Sequence, residues 1–65
     1  MGSSLYRKLR SLLTEAGCTF VRQGKGSHEV WHSPTTKINF AVPSNVALVH
    51  TANEILKSAG LPKAF

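Results

Sequence analysis

The chain has 65 residues and a formal net charge of +5, from eight lysine and arginine residues against three acidic residues. This length allows one small domain, residues 1–65, and the positive charge favours a polyanionic partner, either nucleic acid or an acidic protein. The lone Cys18 and three scattered histidines exclude a disulfide scaffold and a zinc site, and no apolar run is long enough to span a membrane. We therefore expect a cytoplasmic protein that uses no metal or cofactor and does not enter a membrane.

The first predicted element is an amphipathic helix. Its apolar residues recur at helical spacing, at Leu5, Leu9, Leu12, Leu13 and Ala16. Ser3 or Ser4 can cap the start of this helix, and Gly17 suits the left-handed residue that follows its end. The apolar stripe is typical of a helix that packs on a core.

Three strand-like segments follow, at residues 18–23, 28–32 and 37–42, and Pro43 ends the third. Their short connections predict an antiparallel meander. Alternation along the second segment places His28, Val30 and His32 on one face, with Glu29 and Trp31 on the other. In the third segment, Ile38, Phe40 and Val42 share a face.

The last predicted element is a second helix. Residues 51–54 form a capping-box pattern, in which Thr51 and Glu54 each accept from the other's backbone amide. Apolar residues follow at Ile55, Leu56 and Ala59, and residues 60–62, Gly-Leu-Pro, predict the end of the helix. The sequence therefore predicts an α+β fold of order α-β-β-β-α, a three-stranded antiparallel sheet with both helices on one face and the other face open.

The segment with the clearest chemical character is Gly24-Lys25-Gly26-Ser27-His28. Its glycines allow a phosphate to approach the backbone closely, Lys25 and the nearby Arg22 supply positive charge, and Ser27 adds a hydroxyl. The spacing does not match a P-loop. The alternative interpretation is a glycine hairpin with a solvated lysine.

His28 is the candidate catalytic residue. Histidine exchanges a proton near neutral pH because its ordinary pKa is about 6.5. RNA carries its own nucleophile, the 2′-hydroxyl, so a base at His28 with phosphate-binding cations at Lys25 and Arg22 can cleave RNA without metal. His28 can equally be the acid that protonates the leaving 5′-oxygen. The alternative is a surface histidine without a chemical role.

Other side chains are weaker candidates. His32 is a candidate for a second proton-transfer group, whereas His50 is interpreted as a polar residue preceding the last helix. Trp31 can stack on a base or lie in the core. Ser27 is interpreted as fixing the loop, and Cys18 as packing in the core.

The sequence also resembles HicA-type toxins over nearly its whole length. The resemblance is carried, in order, by Gly17, Phe20, Arg22, residues 24–28, Val42-Pro43 and residues 51–61. It implies a fold like the double-stranded-RNA-binding domain and a toxin of a type II toxin–antitoxin system that cleaves mRNA, with His28 as its essential histidine. From the chemistry of their side chains and backbone, Arg22, Lys25, Gly26 and Ser27 are the candidate RNA-binding residues beside it. The resemblance also implies a HicB-type antitoxin that binds the toxin as a hetero-oligomer and covers its active site.

One segment departs from the family pattern. After Val42-Pro43 the family often continues with basic or histidine residues, whereas this chain has Ser44-Asn45 followed by the apolar residues 46–49. The change removes positive charge near the end of the sheet. Two alternatives therefore stay open beside the ribonuclease: a non-catalytic RNA-binding module of the same fold, and a weakened toxin that acts mainly through protein binding.

Overall fold

The structure, a computed structural model that describes residues 4–65, has the predicted order α-β-β-β-α. Helix α1 spans Ser4–Glu15 and helix α2 spans Val49–Ser58. Strands β1, β2 and β3 span Thr19–Gln23, His28–His32 and Asn39–Pro43, and they form an antiparallel sheet in sequence order. No helix within these residues has the length and apolarity needed to cross a membrane.

Helix α1 uses the predicted apolar stripe. Leu9 and Leu13 are fully buried, and Tyr6, which lies outside the predicted stripe, is buried as well. Gly17 has a φ of +88°, the left-handed conformation that was expected beyond the end of the helix. Ser4 is the first helical residue, while the alternative cap, Ser3, lies outside the described residues.

Both helices pack on one face of the sheet, as predicted. Trp31 of β2 and Val42 of β3 are buried in the same core as the apolar residues of the helices, which include Leu9 and Leu56. Cys18, just before β1, is buried in this core too, which confirms its packing role.

The opposite face of the sheet is the open face. Residues paired across antiparallel strands point to the same side of the sheet. Glu29 and Trp31 face the helices, so the residues that alternate with them in β2, and their partners in β1 and β3, lie on the open face. The open face is formed by Thr19, Arg22, His28, Val30, His32, Asn39, Ala41 and Pro43. The predicted alternation of β2 is therefore confirmed.

Strand β3 begins two residues later than the sequence predicts. Lys37 has a φ of +59°, a left-handed conformation that does not occur in a strand. It lies in the β2–β3 connection, where its backbone N–H donates to the carbonyl of Ser33 at 2.9 Å. Ile38 therefore precedes the strand and is half exposed, whereas Val42 occupies the core as predicted.

The predicted capping box of α2 is wrong. The helix begins at Val49, so Thr51 lies within its first turn, and Leu48 is the N-cap. Among the described residues, no side chain caps this end. The backbone N–H of Ala52 donates to the carbonyl of Leu48 at 3.1 Å, so helical hydrogen bonding begins before the position of Thr51 that the capping pattern marks.

The other end of α2 is held by the β2–β3 connection. The fully buried Ser33 donates from its hydroxyl to the carbonyl of Ala59 at 2.8 Å, and Thr36 donates to the carbonyl of Ser58 at 2.9 Å. Gly60 has a φ of +82°, and the backbone N–H of Leu61 donates to the carbonyl of Leu56, which confirms the predicted end of the helix. Because Ser33 follows β2, the start of α2 points back towards the end of the sheet that carries His28.

A polar contact ties α1 to β2 next to His28. The hydroxyl of Tyr6 donates to the Glu29 carboxylate, with distances of 2.8 and 3.0 Å to its two oxygens. The indole N–H of Trp31 donates to the same carboxylate at 2.9 Å. Glu29 therefore fixes the helix-facing side of β2, and the preceding residue, His28, projects from the opposite face.

This contact predicts a loss of stability at alkaline pH. Burial raises the pKa of Tyr6, the adjacent Glu29 carboxylate adds to the effect, and Arg10 opposes it. The folded state therefore binds the phenol proton more tightly than the unfolded state does. The resulting stabilisation is fully present below the ordinary tyrosine pKa of about 10 and is lost as pH rises through the folded pKa.

The measurement uses the only tyrosine and the only tryptophan of the chain. We expect phenolate absorbance to titrate at higher pH in the folded protein than in denaturant. We also expect the free energy of unfolding, followed by Trp31 fluorescence, to fall more steeply with alkaline pH in the wild type than in Tyr6→Phe. Equal alkaline slopes in the two proteins would contradict this effect of Tyr6.

Candidate active site

His28 is the first residue of β2 and is exposed on the open face. Its backbone N–H donates to the carbonyl of Lys25 at 3.0 Å, and its carbonyl accepts from the backbone N–H of Gly24 at 2.7 Å. The backbone of His28 is thus hydrogen-bonded at both its N–H and its carbonyl, while the side chain is exposed to solvent.

The segment that we call the glycine loop, residues 24–27, connects β1 to β2 and contains two glycines that are required for different reasons. A Cβ at Gly24 would lie 2.9 Å from the carbonyl oxygen of His28, so the close approach of these two backbone segments requires glycine. Gly26 has a φ of +58°, and nothing lies within 4 Å of its Cβ position. The space beside Gly26 leaves room for a phosphate to approach the backbone.

The side chain of Gln23 bridges the glycine loop. Its Nε2 donates to the carbonyl of Gly26 at 3.0 Å and to the carbonyl of His28 at 3.1 Å. The carbonyl of His28 therefore accepts from both the Gly24 backbone and the Gln23 amide. No sequence pattern indicates this role, because a glutamine at a strand end is common and only the hairpin geometry reveals its partners.

The segment after β3 holds the glycine loop from the other side. The Ser44 backbone N–H donates to the carbonyl of Ser27 at 2.9 Å, and the Ser27 hydroxyl donates to Asn45 Oδ1 at 3.2 Å. This contact agrees with the interpretation of Ser27 as a residue that fixes the loop. Ser44-Asn45, where the sequence departs from the family pattern, therefore lies directly beside the candidate site.

Two cationic side chains, Arg22 and Lys25, belong to the strand and the loop next to His28. Arg22 lies on the open face two residues before Gly24, which is opposite His28, and Lys25 is exposed in the glycine loop. The three carboxylates of the chain lie elsewhere: Glu15 at the end of α1, Glu54 in α2 and Glu29 facing the helices. The open face therefore carries the Arg22 cation, and the adjoining loop carries Lys25, without a carboxylate side chain on that face, as expected for a surface that binds a polyanion.

His32 is on the open face, four positions after His28 in β2. Since a strand rises about 3.3 Å per residue, the two Cα atoms are about 13 Å apart. His32 Nδ1 lies 2.8 Å from Asn39 Oδ1, within hydrogen-bond distance. The distance argues against the expectation that His32 and His28 act on one phosphodiester.

Two other candidates lie away from the open face. Trp31 is buried and makes an edge-to-face contact with Phe20, so it is a core residue and its ring is not available to stack on a base. His50 is exposed in the first turn of α2 and lines a shallow groove with Asn53, Glu54 and Lys57. It was expected to precede the helix and instead lies within it.

The arrangement combines an accessible imidazole, an ordered loop with room for a phosphate, and nearby cations. These are the components that acid–base chemistry on a phosphodiester needs.

Comparison with known proteins identifies one family. The family model for the HicA toxin of bacterial toxin-antitoxin systems matches residues 6–61, which include both helices' core residues, the glycine loop and His28. Searches of curated proteins and of solved structures gave no significant match. Because the family match spans most of the chain, the protein belongs to the HicA toxin family of bacterial toxin–antitoxin systems.

Proposed function

We propose that this toxin is a metal-independent endoribonuclease that cleaves mRNA, with His28 as its general acid or base. The observation that carries the proposal is the exposed imidazole of His28 at the edge of the hydrogen-bonded glycine loop, on a sheet face that also exposes the Arg22 cation. The match to a toxin family supports a harmful activity of the free protein, and RNA is the polyanion that contains its own nucleophile.

The reaction is a transesterification within the RNA. The 2′-oxygen loses its proton and forms a bond to the adjacent phosphorus, the bond from phosphorus to the 5′-oxygen breaks, and the departing oxygen keeps the electron pair and takes up a proton. The products are a 2′,3′-cyclic phosphate and a 5′-hydroxyl. Neutral His28 can accept the first proton, and protonated His28 can donate the second.

The remaining site residues bind the phosphate in this proposal. Arg22 and Lys25 offset the charge that builds up on the phosphate oxygens in the transition state. Gly26 allows close approach because no atom occupies the space beside it. Ser27 and Asn45 hold the loop in place rather than attacking the substrate.

As a toxin of a toxin–antitoxin family, the chain pairs with an antitoxin. We infer that the antitoxin is of the HicB type and forms a hetero-oligomer that covers His28 and the glycine loop. An acidic segment suits this role, because the open face exposes Arg22 and the loop exposes Lys25. An mRNA substrate supports action in the cytoplasm, which the lone cysteine, Cys18, also favours.

RNA digestion by the purified toxin tests the proposal. We expect cleavage of single-stranded RNA to continue in EDTA, because the chemistry uses the 2′-hydroxyl and protein side chains. RNA binding should weaken steeply between low and moderate salt, and Arg22→Gln and Lys25→Gln should each lower the slope of log affinity against log salt by about 1. Complete loss of cleavage in EDTA, reversed by added metal, would contradict the mechanism.

A further inference from the structure

We infer that Gln23 is a positioning residue for His28, which acts by fixing the glycine loop and the peptide unit that carries the imidazole. This inference rests on the proposed function for its catalytic consequence. The ordering of the loop is a separate property, which can be measured without RNA.

The side-chain amide of Gln23 is matched to its two partners. Its Nε2 carries two hydrogens, and it lies within hydrogen-bond distance of two carbonyl oxygens, those of Gly26 and His28. Acceptors at both positions also fix the orientation of the amide, because Oε1 would repel either carbonyl. One side chain thereby connects the tip of the glycine loop to the first residue of β2.

These bonds act on the backbone of His28 itself. The carbonyl of His28 accepts from Gln23 Nε2 and from the Gly24 backbone, while its N–H donates to Lys25. The direction of the Cα–Cβ bond of His28 follows from this peptide geometry. Loss of the Gln23 amide would leave the loop tip held by its backbone and by the contacts of Ser27 with Ser44 and Asn45 after β3.

The register places Gln23 away from the substrate surface. Gln23 pairs with Glu29, whose carboxylate faces α1, so Gln23 supports the loop from the side opposite the open face. A residue in this place changes the rate of the chemical step through His28. By contrast, Arg22 on the open face is expected to change RNA affinity.

The experiment compares Gln23→Met, which keeps the length and removes both donors, with Gln23→Glu, which places a carboxylate against two carbonyls. Ser11→Met, at an exposed position in α1, is the control for an added thioether, and Trp31 fluorescence checks folding. Single-turnover cleavage of a short RNA is measured over a range of protein concentrations. Amide hydrogen exchange at Gly24 and His28 is measured by NMR in the absence of RNA.

In Gln23→Met we expect the maximal cleavage rate to fall about 10- to 100-fold with an unchanged half-saturating concentration, and in Gln23→Glu we expect a larger fall. The Gly24 and His28 amides should exchange about 10-fold faster in Gln23→Met than in the wild type. Ser11→Met should match the wild type in both measurements.

Three results would overturn the inference in distinguishable ways. Unchanged amide exchange would show that Gln23 does not order the loop. Faster exchange with an unchanged maximal rate would show that loop order does not matter for cleavage, and a higher half-saturating concentration alone would make Gln23 an RNA contact. If the wild type fails to cleave RNA, the proposed function fails instead, and amide exchange alone decides whether Gln23 orders the loop.

Discussion

The His28→Ala variant is expected to lose RNA cleavage by a factor of about 10² to 10⁴, the range typical of a general acid or base. The imidazole of His28 is the side chain that transfers a proton beside the glycine loop, whereas Arg22 and Lys25 bind the phosphate in this proposal. The fold should persist because His28 is exposed and its hydrogen bonds to Lys25 and Gly24 use only backbone atoms. RNA affinity should change little, since most of it comes from cations.

His32→Ala is the matched control, because it removes a second histidine from the same strand and the same face. We expect this variant to retain cleavage within the range of the wild type, since His32 is about 13 Å along the strand from His28. Cleavage by purified His28→Ala at the wild-type rate would rule out His28 as the catalytic residue. Equal losses in both variants would indicate that the two histidines contribute to RNA binding.

The second large effect is expected from Gly24→Ala. A methyl group at this position would lie 2.9 Å from the carbonyl oxygen of His28, closer than real Cβ contacts come, so the backbone must shift. The hydrogen bond between these two residues, 2.7 Å long, would lengthen or break. Because a displacement of about 1 Å can reduce a rate about 10²-fold, we expect cleavage to fall by a factor of that order.

Gly26→Ala is the control for Gly24→Ala within the same loop. Its added methyl group meets open space, but alanine at a φ of +58° costs about 1–2 kcal/mol. Chemical denaturation followed by Trp31 fluorescence, together with the cleavage rate, separates the two effects. At saturating RNA, where weaker phosphate binding in Gly26→Ala does not limit the rate, we expect Gly24→Ala to lose more of the maximal cleavage rate for the same loss of stability. The reverse order would contradict the crowding argument.

Much of the fold was predictable because its signals are local or periodic. The apolar stripe of α1, the left-handed Gly17, and the alternation that places His28 and His32 opposite Trp31 all follow from spacing along the chain. The glycine loop was also identifiable as the candidate site, since two glycines, a lysine and a histidine occur in five consecutive residues.

The misjudged features depend on contacts that the local sequence does not encode. The pattern at Thr51 and Glu54 satisfies the capping rule, yet a backbone hydrogen bond from Ala52 to Leu48 extends α2 back to Val49. Lys37 adopts a left-handed conformation that sequence rules assign to glycine or asparagine. Such outcomes follow from tertiary packing, which outweighs weak local preferences.

The support of the site was hidden for the same reason. Gln23 and Asn45 are ordinary polar residues in the sequence, 22 positions apart by their numbers, and only the pairing of β1 with β2 and the course of the chain after β3 bring both to the glycine loop. Ser44-Asn45 was predicted to remove positive charge near the end of the sheet. The structure adds that Asn45 holds Ser27, so this departure from the family pattern changes both the charge and the support of the loop.

The chemical ends of the cleaved RNA test the central proposal most directly. An RNA of defined sequence is digested by the wild-type toxin in EDTA, and the products are identified by mass spectrometry. Attack by the 2′-hydroxyl predicts a 2′,3′-cyclic phosphate or the 3′-phosphate formed from it, together with a 5′-hydroxyl. Products with a 3′-hydroxyl and a 5′-phosphate would require a water nucleophile and would contradict the mechanism assigned to His28.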